Sequence, residues 1–399
     1  MNRSEVHEPS HRLQQPKFWF VAGETSGDAR AAEVIRAIRE VCPGAVIVGA
    51  GGPRMQALAT APFDNWTARA AVLGLWDVLR QYGYFRAKFH RMLAEISREQ
   101  PEAVVLVDYP GFNLRLAKAL RAAGYRGKIL YYISPQVWAW NRGRIPKIAK
   151  FLDLMICVFP FEAPMYEASG LHTVFVGHPL LEALEGERTD SLRVPGLLGL
   201  FPGSREREVR RIFPVMVAAA ELIRKEIPDA TVEVAAATEA HAEKMRVMAG
   251  STAMTIRVGT AHDLMQRATA GIVCSGTATL EAAYFGLPYC LVYKIAWLTF
   301  EIGRCLIDVN ALGIVNILNN YRLNPPVDPK LPAQPAPHVV RELIQDAATP
   351  EALAAEAIRL LRDNEARGKL TREFEAIISG LDATGASSRA AAALLTAIR

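Results

Sequence analysis

The 399-residue sequence lacks the patterns of several protein classes. No window approaches the roughly 18 uninterrupted apolar residues that span a bilayer. The five cysteines are far apart and odd in number, and none has metal-ligand spacing from another, so we expect reduced thiols of a cytoplasmic protein. The polar start, residues 1–16, has no apolar centre, so it predicts a disordered tail and not a signal peptide.

Motifs of common cofactor sites are also missing. The glycine-rich stretch 22–28, AGETSGD, has neither the GxGxxG pattern of dinucleotide sites nor the GxxxxGK[ST] of P-loops. No Asp-x-Asp or HExxH occurs, so we expect no cofactor and no catalytic metal. The net charge of +5 suits anionic substrates or an anionic membrane surface, and it is too small to indicate a nucleic-acid partner.

Short apolar runs alternate with amphipathic segments, which is typical of a doubly wound parallel sheet. The pattern fades over 182–196 and then restarts, so the sequence predicts two such α/β domains. We expect the N-terminal domain at 17–185, the C-terminal domain at 186–370 and a final helical segment at 371–399. A proline-rich excursion occupies 322–338, and from Val339 the pattern predicts helix to the end.

Unusual polar residues follow the predicted strands, where open α/β sheets bind ligands. The strand ends with such residues are Gly23–Asp28, Gly51–Met55, Asp108–Asn113, Ser134–Asn141, Gly177–Pro179, Pro202–Arg205 and Ser275–Thr279. Two sheets that face each other across a cleft would bring these positions together. The arrangement indicates an enzyme.

Two strand–turn–helix segments of the C-terminal domain are typical of phosphate sites. In LFPGSREREV, Gly203 allows a tight turn, Ser204 is expected to cap the helix, and Arg205 adds a cation near the helix N–H groups. In the second segment the small residues are Ser275, Gly276, Thr277, Ala278 and Thr279. Each segment alone is equally compatible with an ordinary capped turn. Together they favour a nucleoside diphosphate.

Several single residues have a functional and a structural interpretation. Asp108 ends an apolar strand, where desolvation suits a general base, although an ion pair would explain it too. Glu281 is placed to bind ribose hydroxyls or to complement the helix dipole. His178 and Asn316 are candidate site residues, and structural hydrogen bonding explains each of them equally well.

The indoles of Trp138 and Trp140 either wall a pocket or plug a core. The segment 70–93 combines apolar residues, among them Leu75 and Trp76, with a basic run that contains Arg86, Lys88 and Arg91. This mixture suits acyl chains at an anionic surface, and an ordinary core helix is the alternative.

As a set, the motifs resemble those of the lipid-A-disaccharide synthase family, from Phe18 onward. The matching segments are AGETSGD, GGPRM, VDYPGFNLRLAK, YYISPQVWAW, FPFE, FVGHPLLE, PGSREREV, SGTATLEAAYFGLP and VVRELIQDAATPE. The resemblance implies an inverting, metal-independent glycosyltransferase with the GT-B fold. It implies transfer from UDP-2,3-diacylglucosamine to 2,3-diacylglucosamine 1-phosphate (lipid X) at the cytoplasmic face of the inner membrane of a Gram-negative bacterium.

The resemblance also implies roles for single residues. Asp108 is the first candidate for the base and Glu24 the second, while Arg205 and the Ser275–Thr279 turn would stabilise the leaving UDP. Gln345 is a further candidate for contact with the donor. Ser26, Asn113, His178 and the two tryptophans are candidates for the acceptor side. The chain departs from the family at Gly111, where many members carry an acid.

Two other interpretations stay open. One is another UDP-sugar enzyme of the same fold, such as a UDP-N-acetylglucosamine 2-epimerase, and the other is a non-catalytic nucleotide- or lipid-binding module. The oligomeric state, including exchange of C-terminal elements between protomers, is also left open by the sequence.

Overall fold

A computed structural model describes residues 15–60, 62–67, 82–189, 191–295, 311–382 and 384–399. These residues form two compact units. Unit 1 comprises the described part of Met1–Pro135, with Gly143–Val176 and Gly385–Arg399. Unit 2 comprises the described part of Gln136–Arg142 and of Gly177–Thr384. Cys42, Cys157, Cys274 and Cys290 are free thiols, and Cys305 lies outside the described residues.

Unit 1 is built on a parallel sheet. Its strands are β1 (Lys17–Ala22), β2 (Val46–Gly51), β3 (Phe63–Asn65), β4 (Ala103–Val107), β5 (Lys128–Tyr132), β6 (Leu154–Cys157) and β7 (Thr173–Phe175). They pair in the order β3-β2-β1-β4-β5-β6-β7. The central strand β4, AVVLV, is buried throughout, as expected for a parallel strand covered on both faces.

Helices cover this sheet. They are α1 (Thr25–Val41), α2 (Pro53–Gln56), α3 (Tyr82–Glu99), α4 (Pro110–Ala122), α5 (Ile145–Ile148), α6 (Glu162–Glu167) and the C-terminal helix Ala386–Ala397. Alanine and leucine side chains of the C-terminal helix are buried, and this helix packs against α1. The last part of the chain therefore belongs to the core of unit 1.

Unit 2 repeats the design. Its strands are β8 (Val194–Phe201), β9 (Thr231–Ala236), β10 (Thr255–Val258), β11 (Ala268–Cys274), β12 (Tyr289–Tyr293) and β13 (Glu342–Ile344). They are parallel and pair in the order β10-β9-β8-β11-β12-β13. Its helices are α7 (Pro179–Ala183), α8 (Glu206–Glu226), α9 (Glu239–Ala249), α10 (Ala261–Arg267), α11 (Thr277–Tyr284), α12 (Ile314–Leu323), α13 (Pro350–Arg362) and α14 (Asn364–Ser379); the C-terminal helix is α15.

The expectation of unbroken helix from Val339 was wrong. Residues Glu342–Ile344 form the edge strand β13, which pairs with β12, and Gln345–Ala347 form a short 3₁₀ turn before α13 begins at Pro350. Three residues are too few to show an alternating pattern, and their pairing partner lies about fifty positions earlier in the chain. Local periodicity therefore missed this strand.

Each sheet has one point where the strand order reverses direction. In unit 1 this point lies between β1 and β4, and in unit 2 between β8 and β11. Ligands of open α/β sheets bind beyond the carboxyl ends of the strands at such a point. The loops there are Gly23–Glu24 and Asp108–Tyr109 in unit 1, and Pro202–Arg205 and Ser275–Gly276 in unit 2.

Candidate functional site

Asp108 lies at the end of β4, at the switch point of unit 1. Burial raises the pKa of its carboxyl group to about 6, and the nearby charge of Glu24 adds to the rise. Glu24 directly precedes α1, and its main-chain carbonyl accepts from the N–H of Asp28. The carboxyl of Asp108 is thus near the titration range of a general base that works at neutral pH.

The backbone at Asp108 is strained. Asp108 and Tyr109 have φ values of 46° and 50°, in the left-handed region that side chains with a Cβ disfavour. Such residues cost of order 1–3 kcal/mol each and cluster at functional sites. The ring of Tyr109 lies against Gly23, where an added Cβ would approach Tyr109 Cδ1 to 2.3 Å. A glycine at position 23 is therefore required by the packing of the loop after β4.

Asn113 and Ser26 are placed very differently. Asn113 is fully buried on α4, and its Nδ2 donates to the main-chain carbonyls of Val107 at 3.2 Å and Asp108 at 2.7 Å. Its side chain therefore contacts the backbone of the loop. Ser26 is exposed in the first turn of α1 and remains available to a ligand.

Asp28, the last residue of the Gly23–Asp28 strand end, has a structural role. Its buried carboxylate accepts from the main-chain N–H groups of Gly52 at 2.9 Å, Arg54 at 3.0 Å and Met55 at 3.0 Å. These bonds anchor the GGPRM segment to α1. The hydrogen-bond partners lie 24 or more positions further along the chain, so the role of Asp28 is visible only in the folded structure.

The two tryptophans differ in exposure. Trp138, in the 3₁₀ turn Val137–Ala139, is 1% exposed, whereas Trp140 is 41% exposed. Arg142 in the same segment donates to the main-chain carbonyl of Leu331 and to the hydroxyl of Tyr321, within unit 2. Trp138 thus fits the interpretation as a core plug, and Trp140 presents an indole surface. Leu75 and Trp76 lie outside the described residues.

His178 occupies the N-cap of α7, and its Nδ1 accepts from the N–H of Leu180 at 3.3 Å. Its main-chain N–H donates to the carbonyl of Leu381. These bonds support the structural interpretation of this histidine within unit 2.

At the switch point of unit 2, the turn after β8 leads into α8, and the residue that caps this helix is not the predicted one. Helix α8 begins at Glu206, so that Arg205 and not Ser204 is the N-cap residue. Gly203 has a φ of 102°, which favours glycine. Glu208 accepts from the main-chain N–H of Arg205 at 3.3 Å and from its guanidinium at 3.0 Å. The guanidinium is 80% exposed, so this pair is weak and can open to an anion.

The turn after β11 opens α11 at Thr277, preceded by Gly276 with a φ of 142°. The hydroxyl of Thr279 is buried and donates to the carbonyl of Gly276, and the N–H of Ser275 donates to Val292 in the sheet. The donors left for a ligand are first-turn amides such as those of Thr277 and Ala278, which have no acceptor within a helix.

Glu281, one turn inside α11, contacts a residue that the sequence did not single out. His262 of α10 approaches Glu281 with its Nε2 at 3.7 Å and Glu187 with its Nδ1 at 2.5 Å. The pKa of His262 is raised, first by the bond to Glu281 and then by Glu187, against partial burial. Histidine and glutamate here are 19 positions apart on different helices, and no spacing rule finds such a pair.

Two further candidates, Asn316 and Gln345, form hydrogen bonds with main-chain groups through their side-chain amides. The Asn316 side chain donates to the Val340 carbonyl and to Glu342 at 2.8 Å each, and its oxygen accepts from the N–H groups of Val339 and Val340. Gln345, with a φ of 51°, bonds the N–H of Ile295 at 2.8 Å and its carbonyl at 3.2 Å. Both amides therefore position the backbone around β12 and β13.

Among the described residues, no three His, Cys, Asp or Glu side chains lie together as a metal-ligand group. Within the same ranges, no helix is both long and apolar enough to cross a membrane.

Comparison with known proteins identifies relatives over nearly the full length. A family model described as lipid-A-disaccharide synthetase matches residues 18–395. The lipid-A-disaccharide synthase of Trichlorobacter lovleyi is 35% identical over 389 residues, covering 95% of this chain and 97% of that protein. The lipid-A-disaccharide synthase of Nitrosococcus oceani is 37% identical over 373 residues and covers 91% of each.

Solved structures with the same fold have low sequence identity. The UDP-GlcNAc 2-epimerase of Neisseria meningitidis bound to UDP-GlcNAc has a TM-score of 0.60 at 11% identity. The match covers 95% of this chain and 100% of that chain. The calicheamicin glycosyltransferase CalG4 has a TM-score of 0.55 at 14% identity, covering 96% of this chain and 98% of that one. These likenesses confirm the predicted GT-B fold. The chain belongs to the lipid-A-disaccharide synthase family and is a glycosyltransferase of lipid A biosynthesis.

Proposed function

We propose that this enzyme joins UDP-2,3-diacylglucosamine to 2,3-diacylglucosamine 1-phosphate (lipid X). The products are the β-1,6-linked disaccharide 1-phosphate and UDP. The acceptor binds to unit 1 and the UDP-sugar to unit 2, each at the carboxyl ends of the strands. Support comes from the candidate residues at both switch points and from the family to which the chain belongs.

The observation that carries the mechanism is the environment of Asp108, whose pKa is raised to about 6 by burial and by Glu24. The acceptor's 6-hydroxyl attacks the anomeric carbon of the donor and gives its proton to the Asp108 carboxylate. The bond from the anomeric carbon to the UDP oxygen breaks as the new bond forms, so the configuration inverts. Proton transfer to a positioned side chain contributes typically 10²–10⁴-fold to such a reaction.

The leaving UDP carries the developing negative charge. We assign its stabilisation to Arg205 and to the first-turn amides of α11, which point a positive helix end at the diphosphate. Glu281 accepts from the ribose hydroxyls. These groups supply charge stabilisation directly from the chain, and the proposed reaction is therefore metal-independent.

The enzyme's substrates carry acyl chains, so we also propose contact with the cytoplasmic face of the inner membrane. Of the basic run on α3, Lys88 and Arg91 both pair with Asp64 inside unit 1. Arg86 is exposed on the same helix and is the cation best placed for an anionic headgroup.

A direct assay tests the reaction. Purified protein is incubated with both substrates and EDTA, and the release of UDP and the disaccharide product are measured by mass spectrometry. We expect product under chelation, and a kcat/KM that rises with pH about a midpoint near 6. Asp108→Asn should lower turnover by about 10²-fold or more. Glu33→Gln is the matched control, because Glu33 is a half-buried carboxylate of unit 1 that pairs only with Arg36 among the described ion pairs.

Three outcomes would contradict the proposal. Release of UDP without disaccharide would indicate a different acceptor. Epimerisation of UDP-GlcNAc by the enzyme alone would indicate the activity of the structural neighbours. Full turnover by Asp108→Asn would remove Asp108 from the mechanism.

A further inference from the structure

Two buried side chains converge on the main-chain carbonyl of Asp108. The hydroxyl of Tyr131, on β5, donates to this oxygen at 2.6 Å. The Nδ2 of Asn113, on α4, donates to it at 2.7 Å. A carbonyl oxygen accepts two hydrogen bonds at most, so both of its lone pairs are occupied. The orientation of the peptide between Asp108 and Tyr109 is therefore fixed from two elements of the fold.

This peptide joins two successive left-handed residues, each with a Cβ. Left-handed conformations of such residues persist only where the surroundings determine them. The N–H of Asp108 donates to the carbonyl of Tyr132 at 2.9 Å, which continues the sheet up to this residue. After this bond the backbone takes the left-handed conformation at Asp108 and Tyr109 before α4 begins at Pro110. The two hydrogen bonds to the Asp108 carbonyl stabilise this turn.

Asn113 is itself only partly satisfied. Its Oδ1 is buried, and no described residue donates a hydrogen bond to it. A leucine of similar size would avoid that unsatisfied acceptor, and it would lose the Nδ2 donor. The same Nδ2 also donates to the carbonyls of Val107 at 3.2 Å and Val21 at 3.5 Å, and its bond to Asp108, at 2.7 Å, is the shortest of the three.

We propose that Tyr131 and Asn113 are positioning residues that hold the peptide after Asp108 in its left-handed conformation and thereby aim the catalytic carboxyl group. The inference rests on the proposed role of Asp108 as the base. Neither side chain contacts substrate in this proposal, because both are buried. Tyr131 is a residue that the sequence gives no reason to select, since it lies in an apolar strand.

Tyr131→Phe tests the inference, since it removes one hydroxyl and keeps the ring. A displacement of a reacting group by about 1 Å costs on the order of 10²-fold in rate. We expect kcat to fall by about ten- to a hundredfold and KM to change by less than about twofold. The released carboxyl group should become better solvated, so the acid limb of the pH profile should move below the parent value.

Tyr125→Phe is a matched control in the same unit. Tyr125 is also buried, and its hydroxyl donates to the main-chain carbonyl of Pro101 at 2.7 Å. The two substitutions remove the same kind of bond, and we expect similar losses of stability. Only Tyr131→Phe should change kcat and the pH profile. Asn113→Leu is the second test, and we expect it to shift kcat and the acid limb in the same direction as Tyr131→Phe.

Parent-like kinetics of Tyr131→Phe and Asn113→Leu would overturn the inference. So would equal kinetic changes in Tyr131→Phe and Tyr125→Phe, because these would reflect stability alone. Asp108→Asn is measured in parallel. If Asp108→Asn keeps full turnover, the proposed function of Asp108 fails; if it is inactive while Tyr131→Phe behaves as the parent, only the positioning role fails.

Discussion

Replacing Asp108 with asparagine should stabilise the folded protein above neutral pH while it lowers turnover by about 10²-fold or more. The carboxylate is buried and lies near Glu24, so its ionised form is disfavoured in the folded state. Asparagine has nearly the same shape and adopts the left-handed region more readily than most residues. The substitution therefore removes an unfavourable charge and leaves the backbone of the loop intact.

The magnitude follows from the pKa difference between the folded and unfolded states. The folded value of about 6 lies roughly two units above the ordinary value of 3.8. At 1.36 kcal/mol per unit, ionisation of Asp108 costs the folded state about 3 kcal/mol above pH 6. Well below pH 3.8 the group is protonated in both states, and this cost disappears. The advantage of Asp108→Asn should thus be full at pH 8 and fade as the pH falls from about 6 toward 4.

The measurement is a urea titration at pH 8 and at pH 4.5, followed by hydrogen exchange of peptides from β1 and β4, which report on unit 1. Asp28→Asn is the matched control, because Asp28 is a buried aspartate of the same unit whose carboxylate accepts three main-chain N–H groups. Loss of one of those acceptors should destabilise by about 1–3 kcal/mol. A destabilised Asp108→Asn at pH 8, or a gain that does not depend on pH, would refute the reasoning.

Three further predictions concern the two switch points. Gly23→Ala should lower both the melting temperature and kcat, because its Cβ would lie 2.3 Å from the Tyr109 ring; Tyr109→Ala in the same chain should recover the melting temperature. Glu281→Gln should weaken UDP binding by about tenfold in calorimetry and leave pyrophosphate binding unchanged. His262→Gln should lower the melting temperature at pH 6 and not at pH 9, because a raised histidine pKa stabilises the folded state below that pKa and the effect is lost as the pH rises through it.

The sequence predicts most of the fold because its signals are local. Buried parallel strands such as β4 and the second half of β11, Gly271–Cys274, are continuous apolar runs, and turns end them with glycine and small polar residues. The residues after these strands fall at the switch points because parallel strands all place their carboxyl ends at the same edge of a sheet. Placement of Asp108 and of the two phosphate-type turns therefore required no knowledge of the tertiary structure.

The remaining features depend on contacts between distant segments. Tyr131 is 23 positions from Asp108, Asp28 is 24 from Gly52, and Gln345 is 50 from Ile295. In each case a side chain bonds to the backbone of another element, and any polar residue at that position would look the same in the sequence. Asn316 and Gln345 are examples. The sequence predicts that they contact the donor substrate, whereas in the structure both side-chain amides bond to main chain near β13.

Gly111 lies three positions after Asp108, where the sequence resemblance indicates a departure from the family pattern. It is exposed at the second position of α4, and an added Cβ meets no atom of the described residues within 4 Å. Gly111→Asp should therefore stabilise the protein by about 1 kcal/mol, since glycine disfavours a helix and an acid in the first turn complements its dipole. A second carboxylate three positions from Asp108 should also raise the pKa of Asp108 further.

The two effects are separable with Gly111→Asn, which has a similar shape and no charge. Both variants should unfold at a higher urea concentration than the parent, and only Gly111→Asp should move the acid limb of kcat/KM above pH 6. A large rise of kcat in Gly111→Asp without movement of that limb would mean that the acid at this position takes part in proton transfer. Movement of the limb with kcat near the parent value would mean that Asp108 alone accepts the proton, and that an acid at position 111 acts only by raising the pKa of Asp108.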